Sequence, residues 1–124
     1  QRYPREYFLQ RVMAGEFYLA LDEQEKPAGI MALLTEDPRW EGSEPKNCYS
    51  VHHLAARTGA KGAGRALLCF CEELSRQEGR EVVRLDCQLG NRKLNDFYES
   101  LGYEYAGPMV EGEYEGIKRE KKLD

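Results

Sequence analysis

With 124 residues, the chain is long enough to bury an ordinary core in one domain without disulfide or metal staples. Its charge is high at 32% but mixed, and a formal net charge of -4 argues against the basic field that nucleic-acid binding relies on. The longest apolar runs, such as GIMALL, are too short to span a bilayer, and QRYPREYFLQ lacks the apolar segment of a signal peptide.

Residues 3–13 carry Tyr7, Phe8, Val12 and Met13 behind an early proline, which predicts an amphipathic helix ending at Gly15. Residues 16–23 and 27–36 are strand-like runs separated by the polar QEK, the pattern of an antiparallel hairpin. A loop with two prolines and the single Trp follows, and then CYSVHHLAA, residues 48–56, as a third strand. Within residues 62–79, Ala63, Leu67, Phe70, Cys71 and Leu74 recur at helical spacing, with Glu72, Glu73, Arg76 and Gln77 on the wet face and Gly79 as the stop. EVVRLDC, residues 81–87, is β-rich. Residues 91–101 place Leu94, Phe97, Tyr98 and Leu101 on one stripe, entered at Asn91 and left at Gly102. Residues 103–107 and 114–123 complete six strands. The order predicts a mixed α/β sheet in which the strands at 48–56 and 81–87, joined through a helix, run parallel.

The four cysteines do not form a framework. Cys69 and Cys71 stand two apart on a predicted helix, about 200° around its axis, and cannot share one ion. Reduced, mostly buried thiols are expected with Cys48 and Cys87, in a soluble cytoplasmic protein. No metal is expected.

The decisive stretch is GAKGAGRALL, residues 59–68, between the third strand and the first long helix. A strand that passes through glycines into a helix leaves backbone N–H groups at the positive end of the helix dipole, which is an anion site. Lys61 and Arg65 add charge, and Gly62 and Gly64 let a phosphate approach the backbone. The stretch lacks the Gly-Lys-Ser/Thr ending of a Walker loop and the G-x-G-x-x-G of a dinucleotide site. A purely structural turn is the other reading.

Three segments in order, HLAA (53–56), GAKGAG (59–64) and LDCQLGNRKLNDFYESLGY (85–103), resemble the GNAT family of acyl-CoA-dependent N-acetyltransferases. The family carries a Leu-Ala-Val-type strand end, Arg/Gln-x-x-Gly-x-Gly/Ala opening a helix, and an Asn-x-x-Ala-x-x-x-Tyr helix closed by Gly-Phe or Gly-Tyr. Gly59 stands where the family usually has Arg or Gln. The family's first strand and first helix have no counterpart before Gln1, so an N-terminally incomplete GNAT-like domain over residues 1–124 is expected. The implied fold is a mixed, mostly antiparallel sheet with a central splayed parallel strand pair flanked by helices.

The resemblance implies transfer of an acetyl group from acetyl-CoA, the cosubstrate, to an amine of a small molecule or peptide. The backbone of Leu54, Ala55 and Ala56 would pair with the pantetheine arm, and an N–H near Leu54 or Ala55 would steady the oxyanion. The amides of Ala60, Lys61, Gly62, Ala63, Gly64 and Arg65 would hold the pyrophosphate. Asn91 would touch the cofactor arm or cap its helix. Tyr98 is the candidate general acid, its alternative being a core aromatic.

His52 and His53 should face opposite sides of the sheet, so only one can serve as base; the resemblance, in which some members carry a Glu or His two or four residues before the conserved Leu, makes His52, two before Leu54, the candidate. Water or a distant carboxylate is the alternative. Glu36, Asp37, Glu41, Glu44, Glu111, Glu113 and Glu115 would favour a cationic amine if they face the cleft. A non-catalytic acyl-CoA-binding module with the same fold is the competing function, and a homodimer is left open.

Overall fold

The computed structural model describes residues 16–124 and the backbone of residues 8–11. In chain order the elements are β1 (Phe8–Arg11), β2 (Phe17–Leu21), β3 (Pro27–Leu34), a short 3-10 turn (Pro38–Trp40), β4 (Cys48–Ala56), α1 (Ala63–Gln77), β5 (Val82–Gln88), α2 (Arg92–Ser100), β6 (Glu104–Glu111) and β7 (Tyr114–Lys122). Among the described residues, seven strands form one sheet in the order β1-β2-β3-β4-β5-β7-β6. Only the β4–β5 pair is parallel, as the helix joining the two strands requires; every other neighbour is antiparallel.

One expectation is corrected at the N-terminus. Residues 8–11, read as part of a helix, form a strand that pairs along β2 from Phe8↔Leu21 to Arg11↔Tyr18. The pairing partner lies outside the segment, so the sheet edge offered by β2 overrides the local apolar spacing. The rest of the expected helix, with its stop at Gly15, lies outside the described residues.

Both helices end in the same way, and glycine is the reason. In α1, Gly79 takes φ 74, its N–H donates to the Arg76 carbonyl, and the Arg80 N–H donates to the Ser75 carbonyl. In α2, Gly102 takes φ 96, its N–H donates to the Glu99 carbonyl, and the Tyr103 N–H donates to the Tyr98 carbonyl. These are Schellman closures, which need a left-handed residue just past the helix. The second one explains the segment LGY: it folds the Tyr103 ring back onto Tyr98, with centroids 6.2 Å apart.

One buried cluster joins Ala63, Ala66, Leu67, Leu68 and Cys71 of α1 to Val51, Val83 and Leu85 of the parallel pair and to Tyr98 and Tyr103. Glu72, expected on the wet face of α1, is buried beside this cluster. Its carboxylate accepts from the Tyr103 hydroxyl at 2.7 Å and from Lys121 Nζ at 3.0 Å. On the other side of β5, Arg84 lies over the buried Trp40 ring at 4.4 Å and donates to Glu120 at 2.7 Å, fastening the segment after β3 to the sheet. All four cysteines are free thiols. Among the described residues, no helix is long and apolar enough to cross a membrane.

Candidate active site

The parallel ladder stops early. Residues pair from Cys48↔Val82 to Val51↔Leu85; beyond that point β4 stays with β3 and β5 stays with β7. From His52 and Asp86 onward the two central strands therefore have no ladder between them, and a cleft opens. The expected splay of this pair is present.

A register shift sharpens the opening. Ile30 faces Ala55 but Ala32 faces His52, so His53 and Leu54 together stand against Met31, and His53 takes a left-handed φ of 55. This is a β-bulge, which bends a strand and re-aims its side chains. It also corrects the expectation that His52 and His53 face opposite sides: both line the same cavity, with ring centroids 6.1 Å apart. Strict alternation fails where one strand carries an extra residue.

Two cavities meet in the cleft. The first, about 510 Å³, is lined by Leu54, Ala55, Ala56, Ala60, Lys61, Gly62, Gly64, Arg65, Leu94, Phe97 and Tyr98. It thus gathers most of the residues expected to hold the cofactor. Ala63 differs, since its side chain is fully buried in the core. Asn91 lines neither cavity; it caps α2, its side-chain oxygen accepting from the Leu94 N–H at 3.0 Å.

The chemistry of this first cavity fits a pyrophosphate. Gly62 precedes α1 with φ 84, and no side chain caps the helix. Among the described residues, the N–H groups of Gly62, Gly64 and Arg65 find no acceptor, so three donors stand open at the positive end of the dipole. A Cβ on Gly64 would meet nothing within 4 Å, which leaves the approach clear. Gly59 has φ 86, a conformation that Arg or Gln in its place would adopt only under strain.

The second cavity, about 330 Å³, is polar and is lined by Arg39, Val51, His52, His53, Leu54, Asp86, Cys87, Gln88, Leu94, Tyr98 and Tyr114. It shares Leu54, Leu94 and Tyr98 with the first, so Tyr98 stands at the junction. Burial, with Cys87, Asp86 and Tyr114 nearby, pushes the Tyr98 phenol far above its ordinary range. Its hydroxyl forms no hydrogen bond to any described residue and is held protonated at every ordinary pH. Cys87 is an apolar wall rather than a nucleophile: burial pushes its thiol up, and the S–H donates to Asn95 Oδ1.

Three residues overlooked by sequence reasoning complete the second cavity. Asp86 Oδ1 accepts from Arg39 Nη1 at 3.0 Å and from the Tyr114 hydroxyl at 3.2 Å. Arg39 Nη2 also donates to Glu111 at 3.0 Å, and its guanidinium lies 5.0 Å from the Tyr114 ring centre. Burial, then the Asp86 charge, pushes the Tyr114 phenol up to about 12. Of the acidic residues expected to steer a cationic substrate, Asp37 comes closest, its Oδ2 lying 2.6 Å from His52 Nε2. Asp37, His52 and Asp86 present ligand atoms within 4.8 Å of one another.

The family is decided by a match of residues 1–103 to the acetyltransferase (GNAT) family. The chain belongs to that family. GNAT structures share its fold. An acetyltransferase of this family from Listeria monocytogenes superposes with a TM-score of 0.70 at 24% identity, covering 92% of this chain and 68% of the other. The spermidine/spermine N-acetyltransferase of Vibrio cholerae, in complex with manganese ions, gives 0.67 at 17% identity over 86% and 64%. The NatC complex bound to Gag peptide and CoA gives 0.68 at 19% over 87% and 71%. A search of curated protein sequences finds no match. The GNAT assignment makes acyl transfer the activity class, and the glycine-rich cavity lies where the splayed pair and the start of α1 converge.

Proposed function

We propose that this GNAT domain moves an acetyl group from acetyl-CoA to a primary amine of a small molecule or peptide by direct attack. The observation that carries this reading is the position of Tyr98, which faces the glycine-rich cavity on one side and the polar cavity on the other. The cosubstrate supplies the activated acyl group as a thioester. The amides of Gly62, Gly64 and Arg65, with the charges of Lys61 and Arg65, hold its pyrophosphate. The arm lies along Leu54, Ala55 and Ala56, where β4 has no β5 partner, and the thioester end reaches the junction.

Each polar residue then has one task. Asp37, Asp86 and Glu111 outnumber Arg39 around the second cavity, so its field favours an ammonium group. His52 takes the proton that frees the amine lone pair, and an N–H near Leu54 steadies the developing oxyanion. As the C–S bond breaks, Tyr98 gives a proton to the departing thiolate and takes the second N–H proton from the positively charged nitrogen of the intermediate, so the phenol is restored and the amide is left neutral. Asn91 acts through its cap, which sets the start of the helix carrying Leu94 and Tyr98. Four reduced cysteines suit the cytoplasm.

The test is calorimetric titration with acetyl-CoA, followed by thiol release across a panel of monoamines, polyamines and peptide N-termini. Binding followed by turnover with at least one amine is expected. Binding with no transfer to any member would favour a non-catalytic acyl-CoA-binding module, and no binding would remove the reading altogether.

A further inference from the structure

We infer that Asp37 is a positioning residue for this reaction: it fixes His52 as the Nε2–H tautomer and leaves Nδ1 as the lone pair that receives the amine proton. The inference rests on the proposed transferase reading, in which His52 is the base.

The geometry begins in the short turn after β3. Asp37 is its N-cap, and its Oδ1 accepts from the Arg39 N–H at 3.0 Å. That bond fixes the carboxylate plane and turns Oδ2 toward His52 Nε2, 2.6 Å away. The Asp37 side chain is only 3% exposed, so few waters compete for Oδ2. Pro38 opens the turn, and Trp40, buried beneath the Arg84 guanidinium, anchors it. A nitrogen lone pair aimed at a carboxylate oxygen at this distance would be repelled; an N–H donates to it. Nε2 therefore carries the hydrogen.

The proton path follows. An N–H bond of the acceptor ammonium breaks, its proton bonds to Nδ1, and the electron pair stays on the amine nitrogen for attack. The imidazolium so formed keeps its Nε2–H on Asp37, which stabilises it without taking a proton, and Nδ1 later returns the proton to solvent. Around His52 stand Asp37 from the turn, Asp86 from β5 with Arg39 and Tyr114 upon it, and His53 from β4, while Cys87 of β5 and Tyr98 of α2 line the same cavity.

The sharpest test is Asp37→Asn. The cap requires an acceptor toward the Arg39 N–H, so the amide oxygen stays there and the NH2 turns to His52. Two donors cannot share that contact, so the ring must move its hydrogen to Nδ1 and lose the Nδ1 lone pair. The chain has two histidines, and a His53→Gln spectrum assigns them. Long-range proton–nitrogen NMR on nitrogen-labelled protein should show Nε2–H for His52 in the wild type and Nδ1–H in Asp37→Asn. Under conditions where chemistry limits the rate, kcat should fall about 10²-fold or more, with unchanged acetyl-CoA affinity. Asp37→Ser keeps a capping oxygen but cannot hold Nε2, so it should give mixed tautomers and an intermediate loss.

The double variant Asp37→Asn/His52→Ala should be no slower than His52→Ala. A wild-type tautomer in both Asp37 variants overturns the inference, as does full kcat in Asp37→Asn when His52→Ala is impaired. Full kcat in His52→Ala itself overturns the base assignment on which the inference rests, and so marks a failure of the underlying reading instead.

Discussion

Gly29 of β3 lies directly under Ala63, the first residue of α1: a Cβ at Gly29 would stand 3.2 Å from the Ala63 Cβ and 3.1 Å from the Ala55 oxygen. The absent side chain lets the helix start approach the sheet beside the strand that would carry the pantetheine arm. Gly29→Ala should therefore push this corner apart. An overpacked site of this kind costs about 1–3 kcal/mol, read as a lower denaturant midpoint. Acetyl-CoA affinity should fall several-fold although Gly29 lines neither cavity. Wild-type affinity in the destabilised variant would show that the helix start does not depend on this contact.

Gly64 poses the opposite case. Apart from its chain neighbours and the backbone of its own helix, no atom lies within 4 Å of the point where its Cβ would stand, so Gly64→Val should fold with near wild-type stability. The new side chain would fill the space in front of the open N–H groups, and acetyl-CoA affinity should drop at least about tenfold. Unchanged calorimetric affinity in a folded Gly64→Val protein would move the pyrophosphate elsewhere.

What the sequence showed of this site depended on how local its causes were. Gly59, Gly62, Gly79 and Gly102 mark turns and helix ends through their own backbone freedom, so the turn leading into α1 and both helix ends could be read directly. The parallel pair followed from the helix between its strands. The bulge at His53 could not be read, because it is a mismatch of register between β3 and β4 and changes neither strand's composition. Glu72 looked solvated because its partners, Tyr103 and Lys121, lie 31 and 49 residues away. Arg39 and Asp86 meet across 47 residues, and no periodicity announces such a pair.

Alkali should weaken the fold in a defined way. Burial pushes the Cys71 thiol up to about 12 from an ordinary 9.0 and raises the phenols of Tyr98, Tyr103 and Tyr114 above their ordinary 10.0. These groups stay neutral in the folded chain while the unfolded chain ionises and releases protons. Their stabilisation is thus complete below pH 9, falls first through Cys71, and falls further above pH 10 through the tyrosines. Each group contributes a slope of about 1.4 kcal/mol per pH unit within its window. The stability gap between wild type and Cys71→Ala, measured by urea unfolding under reducing conditions, should therefore shrink as pH rises from 9 toward 12. A gap independent of pH would mean that the thiol ionises equally in both states.

Tyr98→Phe separates the chemistry at the cavity junction from its packing. The ring belongs to the core, 4% exposed, tilted against Phe97 and edge-on to Tyr103, and phenylalanine keeps that shape. The hydroxyl makes no hydrogen bond to a described residue, so its loss leaves no buried partner unsatisfied, and stability should change little. Acetyl-CoA affinity should also survive, since the residues of the phosphate cradle are untouched. A proton donor is what disappears. The phenol, held protonated by burial, is the one described hydroxyl that lines both cavities, and losing general-acid help is worth on the order of 10² to 10⁴ in rate. The deficit should appear in kcat, and in kcat/KM by the same factor, with the cofactor's Kd unchanged. It should also narrow for thioesters whose leaving thiol is more acidic, because a better leaving group needs less protonation. Near wild-type kcat for Tyr98→Phe, with chemistry rate-limiting, would return this residue to the role of a core aromatic.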